Sequence, residues 1–222
     1  VRYYPALVDL SGKKVVVIGG GKVGERKVGP LLSAGALVTV VAPEMSSRIA
    51  KWVEEGKITC RLRSYQPGDI EDDAFMVMVA TDDHPLNARI AEAVAGRACL
   101  INVADIPAKS SFIVPSMVVR GDLVLAISTG GAAPALARKL RQDLERQFGE
   151  EYEIFLNVLK EVRESLKDKV TQAERRRILR RLIESDLLQL IRSRAYGEIP
   201  ERVKTVAGLE VFHWSPPPGR EV

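Results

Sequence analysis

The chain is short of the residues that staple proteins or ligate metals. Its 222 residues include two cysteines, Cys60 and Cys99, and two histidines, His84 and His213. The cysteines form no C-x-x-C pair, which argues against a disulfide framework or a zinc ribbon and fits two thiols kept in a reducing compartment. The histidines stand alone, neither with a second ligand at helical spacing, so no metal site is expected. No apolar run approaches the ~18 residues that a bilayer-crossing helix needs. Residues 1–13 lack the charged-then-apolar order of a secretion signal. A cytoplasmic chain without membrane contact is therefore expected. Aromatic residues make up only 5%. None is interleaved in the arginine-rich run 174–181, ERRRILRR, whose charges fall on several helix faces, so a solvated helix surface is expected there and no nucleic-acid partner. The formal net charge, +4, is too small to prescribe a polyanionic partner. Internal repeats and low-complexity tracts are also missing.

What is present is a regular alternation. Hydrophobic residues reach 46%, enough for a packed core. Short β-branched runs at 14–18, 37–41, 58–62, 75–79 and 98–102 read as strands. Helical patterns at 22–33, 45–55 and 85–95 separate most of them, and a polar stretch, 63–74, with Pro67-Gly68 as a turn, joins the third strand to the fourth. Such an order builds βαβ units and a parallel sheet whose ligands bind beyond the carboxyl ends of the strands. Beyond Asn102 the pattern changes. Short strands are expected at 111–114, 117–119 and 123–127, with Arg120-Gly121-Asp122 as a hairpin turn, and helices at 135–148, 152–167, 174–183 and 186–195. Thr171 with Glu174 fits a capping box. The fold expected is α/β: a Rossmann-type parallel sheet over residues 1–106, a small β insert over 107–150, and a helical domain over 151–222.

The first strand runs into a glycine fingerprint, KKVVVIGGGKVG. Gly19, Gly21 and Gly24 stand at G-x-G-x-x-G spacing between a strand and a helix, the order that sets a dinucleotide pyrophosphate on a helix N-terminus. Gly19 permits the turn, Gly21 the close approach of the phosphates, and Gly24 close packing of the helix. One local conflict follows. Pro30 falls inside the first helix, removes a donor and crowds the carbonyl of Arg26, so a kink or break is expected there.

The other strand ends supply further candidates. Pro43 and Glu44 follow the second strand, Thr81, Asp82, Asp83 and His84 the fourth, and Asn102 and Asp105 the fifth. A carboxylate at this edge can serve as general acid or base, or simply as a turn residue. Asp82 and Asp83 precede a helix, where capping is the default. A second glycine turn, ISTGGAAP at 127–134, opens another helix. Ser128, Thr129 and Gly130 there form either an anion site or a plain strand-to-helix turn. Arg138, Lys139 and Arg141 follow on that helix.

The stretches YYPALVDLSGKKVVVIGGGKVGERK, LLSAGALVTVVAP, VMVATDD, INVADIP, SFIVPSMVVRGDL and ISTGGAAPALARKLR resemble, in order and spacing, the precorrin-2 dehydrogenases of sirohaem synthesis, including the dehydrogenase part of sirohaem synthases. The resemblance covers residues 3–148. It implies oxidation of precorrin-2 to sirohydrochlorin with NAD⁺ as cofactor. It places cofactor contacts on Lys22, Val23, Pro43 and Glu44, the active-site carboxylate on Asp105, and on Thr129 a position where some relatives carry a phosphorylated serine. It also implies a homodimer built through the segments after the nucleotide domain, and leaves the methylations that make precorrin-2 to another protein. With Gly19, Gly21, Gly24, Thr81, Asp82 and Asn102 added, these residues form the expected cofactor site. The substrate carries eight carboxylates, which gives Arg120, Arg138 and Lys139, beside Ser128–Gly130, a reason to be where they are. Some members also insert Fe²⁺, but the scarcity of histidine favours a dehydrogenase with little such activity. The carboxylate usual at the end of the second strand is replaced by Ala42-Pro43, as it is in relatives. A non-catalytic, nucleotide-sensing Rossmann module is the alternative; it would not need Asp105 and the ISTGG turn together.

Overall fold

The computed structural model describes residues 3–104 and 106–216. The chain divides into two compact units, 1–114 and 115–222.

The first unit is a five-stranded parallel sheet in the order β3-β2-β1-β4-β5. Its strands are β1 (Lys14–Ile18), β2 (Leu37–Ala42), β3 (Thr59–Leu62), β4 (Met76–Val79) and β5 (Leu100–Val103), joined in part by α1 (Lys22–Ser33), α2 (Ser47–Glu54) and α3 (His84–Ala93). β1 lies at the centre, with Val17 opposite Val40 on one side and Met78 on the other. Alternate side chains enter two cores. Val15, Val17 and Val40 pack on the side of α1 and α2, whereas Val16, Ile18 and Val77 pack on the side of α3. This explains why the central strands are apolar without interruption: a parallel sheet covered on both faces has no solvent side.

β5 is an edge strand, and its outer edge is closed by side chains. The backbone N–H of Ile101 donates to Ser111 Oγ (2.9 Å) and that of Val103 to Ser110 Oγ (2.9 Å), while the N–H of Ser111 donates to the Ile101 carbonyl (2.9 Å). The strand expected at 111–114 therefore does not form. Serine hydroxyls occupy the positions a ladder would use, and Pro115, which follows, has no N–H to offer.

The expected break at Pro30 is also absent, since α1 runs unbroken through it. Pro30 lies in the last turn, where little helix remains to be disrupted, and its own carbonyl still accepts the N–H of Ala34 (3.0 Å).

Residues 63–74 are held by one carboxylate. Asp69 is 2% exposed and accepts from Arg63 (2.6 and 2.8 Å), from Arg61 (3.0 Å) and from the backbone N–H of Gln66 (2.7 Å). The Arg63 guanidinium, with help from Gln66 and Arg61, outweighs burial and holds the Asp69 carboxyl at about 2. A depressed folded-state pKa contributes stability above the unfolded value and loses it as pH falls through the folded one. Asp69→Asn is expected to lower unfolding free energy by about 2 kcal/mol at pH 7. The gap between variant and parent should close as pH drops from about 4 towards 2. Urea titrations across that range check this; a gap independent of pH would refute it.

The second unit opens with the antiparallel hairpin β6 (Ser116–Arg120) and β7 (Leu123–Ile127), turning at Gly121. A Cβ at Gly121, whose φ is +55°, would fall 2.7 Å from Glu153 Cγ, so both conformation and contact call for glycine. Five helices follow: α4 (Pro134–Gln147), α5 (Glu151–Ser165), α6 (Gln172–Glu184), α7 (Leu187–Arg192) and α8 (Ile199–Ala207). Val158, Val162, Leu182, Leu187, Ile199 and Val203 are fully buried among them. The Thr171 side chain accepts from Glu174 N (3.2 Å), so the N-cap of α6 is the one expected. Helix α8 was not anticipated, although Ile199, Val203 and Ala207 recur every four residues and Gly208, at φ +68°, closes the helix.

Candidate functional site: the carboxyl edge of the parallel sheet

β1 ends at Ile18, and the glycine turn begins. Gly19 takes φ +113°, and a Cβ there would meet the Ala80 carbonyl oxygen at 2.3 Å. A Cβ at Gly24 would lie 2.0 Å from the Gly19 carbonyl oxygen, so α1 sits as close to the turn as a helix can. Gly20 is pinned from the other side. Its carbonyl accepts from Ser46 N (2.9 Å), and a Cβ would meet the Glu44 carbonyl oxygen at 2.2 Å. Gly21 differs from all three. A Cβ built on it meets nothing within 4 Å, its φ is an ordinary −74°, and it caps α1 without a side chain. The first intrahelical bond is Glu25 N to Gly21 O (2.9 Å), so the N–H groups of Lys22, Val23 and Gly24 precede the ladder and point out of the helix start. The result is an open cradle of backbone donors at the positive end of a helix dipole, which suits a pyrophosphate.

The neighbouring strand ends frame this cradle. Pro43 and Glu44 are exposed just past β2. Past β4, Thr81 Oγ1 bonds Asn87 Oδ1 (2.6 Å), Asn87 Nδ2 donates to the Thr81 carbonyl (3.0 Å), and Asp83 caps α3 by accepting from Leu86 N (2.9 Å). Asn87 is fully buried, and sequence reasoning missed it. Its signal was an asparagine on the inner face of a helix that otherwise buries Ile90 and Ala91. Asp82 and His84 are exposed. Past β5, Ala104 N donates to the Val79 carbonyl (3.0 Å). Asp105, next in sequence, lies outside the described residues. The Asn102 side chain is turned inward, with both ends of its amide engaged: Oδ1 accepts from Lys27 Nζ (2.7 Å) and Nδ2 donates to the Phe112 carbonyl (3.1 Å).

The expected substrate residues all belong to the second unit. The Ser128 hydroxyl accepts from Gly130 N (3.1 Å) and that of Thr129 from Ala133 N (3.2 Å), which shapes the turn into α4. Gly130 and Gly131 take φ of +61° and +87°. The Arg120 guanidinium donates to the Val119 carbonyl (2.8 Å), and its buried Nε has no partner among the described residues. Lys139 is paired with Asp143 (2.8 Å) and Arg141 with Glu145, whereas Arg138 is exposed. No cluster of three or more His, Cys, Asp or Glu among the described residues could hold a metal, and no described helix is long and apolar enough to cross a membrane.

A parallel sheet of this order, with a glycine cradle at the N-terminus of its first helix, defines a dinucleotide-binding Rossmann unit. The comparisons with known proteins agree. The family model described as putative NAD(P)-binding matches residues 6–116, and that described as sirohaem biosynthesis protein central matches residues 120–147. The chain belongs to this NAD(P)-binding family, among the members that carry the sirohaem biosynthesis central segment. It is 36% identical over 178 residues to a siroheme synthase of Nitrosococcus oceani, covering 80% of this chain and 38% of the relative. To that of Nitrosospira multiformis it is 38% identical over 196 residues, covering 86% and 41%. The chain thus spans about two fifths of the length of the curated relatives it matches. Among solved structures it is similar to SirC, a precorrin-2 dehydrogenase, with a TM-score of 0.76 and 28% identity over 91% of this chain and all of that one.

Proposed function

We propose that the chain is an NAD-dependent dehydrogenase that oxidises precorrin-2 to sirohydrochlorin. The observation that carries this reading is the open cradle at Gly21, held between close-packed glycines at the carboxyl edge of the sheet. Its chemistry is that of pyrophosphate binding, and it occurs in a chain similar along its length to SirC. When bound, the nicotinamide supplies the hydride acceptor. The chain's own residues bind and orient. Lys22, Val23 and Gly24 present backbone donors to the pyrophosphate, and Asp105 takes the proton released from the macrocycle as the hydride leaves. The carboxylates of the substrate find Arg120 and Arg138, with Lys139 and the Ser128–Gly130 turn nearby in sequence.

NAD⁺ is preferred to NADP⁺ in this reading, because Pro43 and Glu44 follow β2 where a 2′-phosphate would need a basic residue. The working form is a homodimer. Val119, Leu136 and Leu140 of the second unit are exposed large apolar residues, and a two-stranded hairpin is marginal without a covering surface. Iron insertion is minor or absent.

One set of assays tests this. Purified chain with precorrin-2 should produce sirohydrochlorin absorbance with NAD⁺, and at least about tenfold more slowly with NADP⁺ at equal concentration, the discrimination of one misplaced charge. Equal rates would remove the cofactor preference, and no turnover with either would remove the reading. Sedimentation at micromolar concentration should give twice the chain mass.

A further inference from the structure

Burial, and then the neighbouring Arg26, pull Lys27 of α1 below the ordinary lysine value. It makes no ion pair with a carboxylate among the described residues. A half-buried ammonium with no carboxylate beside it among the described residues is costly to keep, so its neutral partner there matters. That partner is Asn102, 9% exposed and 75 residues away in sequence. The two bonds of Asn102 fix its orientation. Lysine can only donate and a carbonyl can only accept, so Oδ1 must face Lys27 and Nδ2 must face Phe112; the flipped amide would set donor against donor. Three elements are thereby tied in line: the helix whose N-terminus forms the dinucleotide cradle, the C-terminal end of β5, and the segment leading to the boundary of the first unit at Val114. Of these, the exit of β5 carries the sequence INVADIP.

We propose that Lys27 is a positioning residue: through Asn102 it locks the exit of β5 and residues 106–114 to the dinucleotide-binding helix, so that substrate chemistry and bound cofactor share one frame. The proposal rests on the dehydrogenase reading for its kinetic consequence and on geometry alone for its structural one. The Lys27 ammonium is engaged by Asn102 and is not among the backbone donors of the cradle, so cofactor affinity is expected to stay with the cradle.

The test uses the full chain as Lys27→Met, which keeps the stem and removes the charge, and Lys27→Arg, which keeps a donor. Amide hydrogen exchange should speed up in Lys27→Met over residues 100–114 and stay unchanged in β1 and β2. Titration with NAD⁺ should give an affinity within about threefold of the parent, while kcat for precorrin-2 oxidation falls about tenfold to a hundredfold, the scale of a small misplacement at a reacting centre. Lys27→Arg should restore most of both losses. If Lys27→Met does not fold, Asn102→Asp serves in its place: it keeps the shape and the Lys27 contact but puts an acceptor against the Phe112 carbonyl, so exchange should rise over the same residues. Parental exchange and kcat in the variant would overturn the proposal, as would a loss of NAD⁺ affinity as large as the loss of kcat. If the parent chain does not oxidise precorrin-2, the functional reading fails by itself, and the exchange experiment still decides the lock.

Discussion

Gly21→Val is expected to fold as the parent does and to lose dinucleotide binding. The two halves of this expectation come from the same position. A side chain at Gly21 meets no protein atom within 4 Å and needs no left-handed backbone, so the folded chain accepts it without strain. The space it fills is the space above the first-turn donors of α1. Forcing a branched side chain into a site shaped for a ligand costs about 3 kcal/mol, about a hundredfold in affinity. Calorimetric titration with NAD⁺ and a thermal melt of the same sample read both halves. Gly24→Ala serves as the contrast. Its methyl group would lie 2.0 Å from the Gly19 carbonyl oxygen, which is backbone and cannot step aside, so stability falls before binding is considered. Wild-type affinity in Gly21→Val would remove the pyrophosphate from this turn.

Asp105→Ala is expected to lose most dehydrogenase activity and keep NAD⁺ affinity. The carboxylate follows Ala104 directly, whose N–H donates to the Val79 carbonyl at the end of β4 (3.0 Å). A general base contributes about a hundredfold to ten-thousandfold. Asp105→Asn should lose nearly as much, because an amide preserves shape but takes up no proton. Steady-state rates with calorimetric affinities separate this from a cofactor role, and a variant that turns over at the parental rate would exclude Asp105 as the base. If the parent forms sirohaem from sirohydrochlorin and Fe²⁺, loss of that product in Asp105→Ala would place both reactions on one carboxylate.

Much of the fold was legible because its signals are local. The run Val15–Ile18 ends in glycines at fixed spacing, and every strand of the sheet lies within two residues of its expected limits. The strand expected at 111–114 misled because Ser111–Phe112–Ile113 reads as extended chain whether or not it pairs, and the serine hydroxyls that take the ladder's place at the β5 edge have no signature in the sequence. Pro30 misled because its penalty depends on how much helix lies beyond it, and only three residues do. The Lys27–Asn102 bond has no sequence signature. A lysine on a helix and an asparagine on a strand, 75 positions apart, meet because α1 packs over both β1 and β4, and β5 is the next strand beyond β4. Asn87 was within reach, since a polar residue on an apolar helix face must find partners where it is buried.

The hydroxyl-lined edge of β5 also decides how large this sheet can become. An unguarded edge strand is a template: a segment from another molecule can zip onto it, one backbone bond after another, and seed aggregation. Here such a newcomer finds the N–H groups of Ile101 and Val103 already donated to serine oxygens. It would have to displace both hydroxyls, and peel away the backbone bond from Ser111 to Ile101, before gaining its first contact. Two serines thus terminate the sheet on that side.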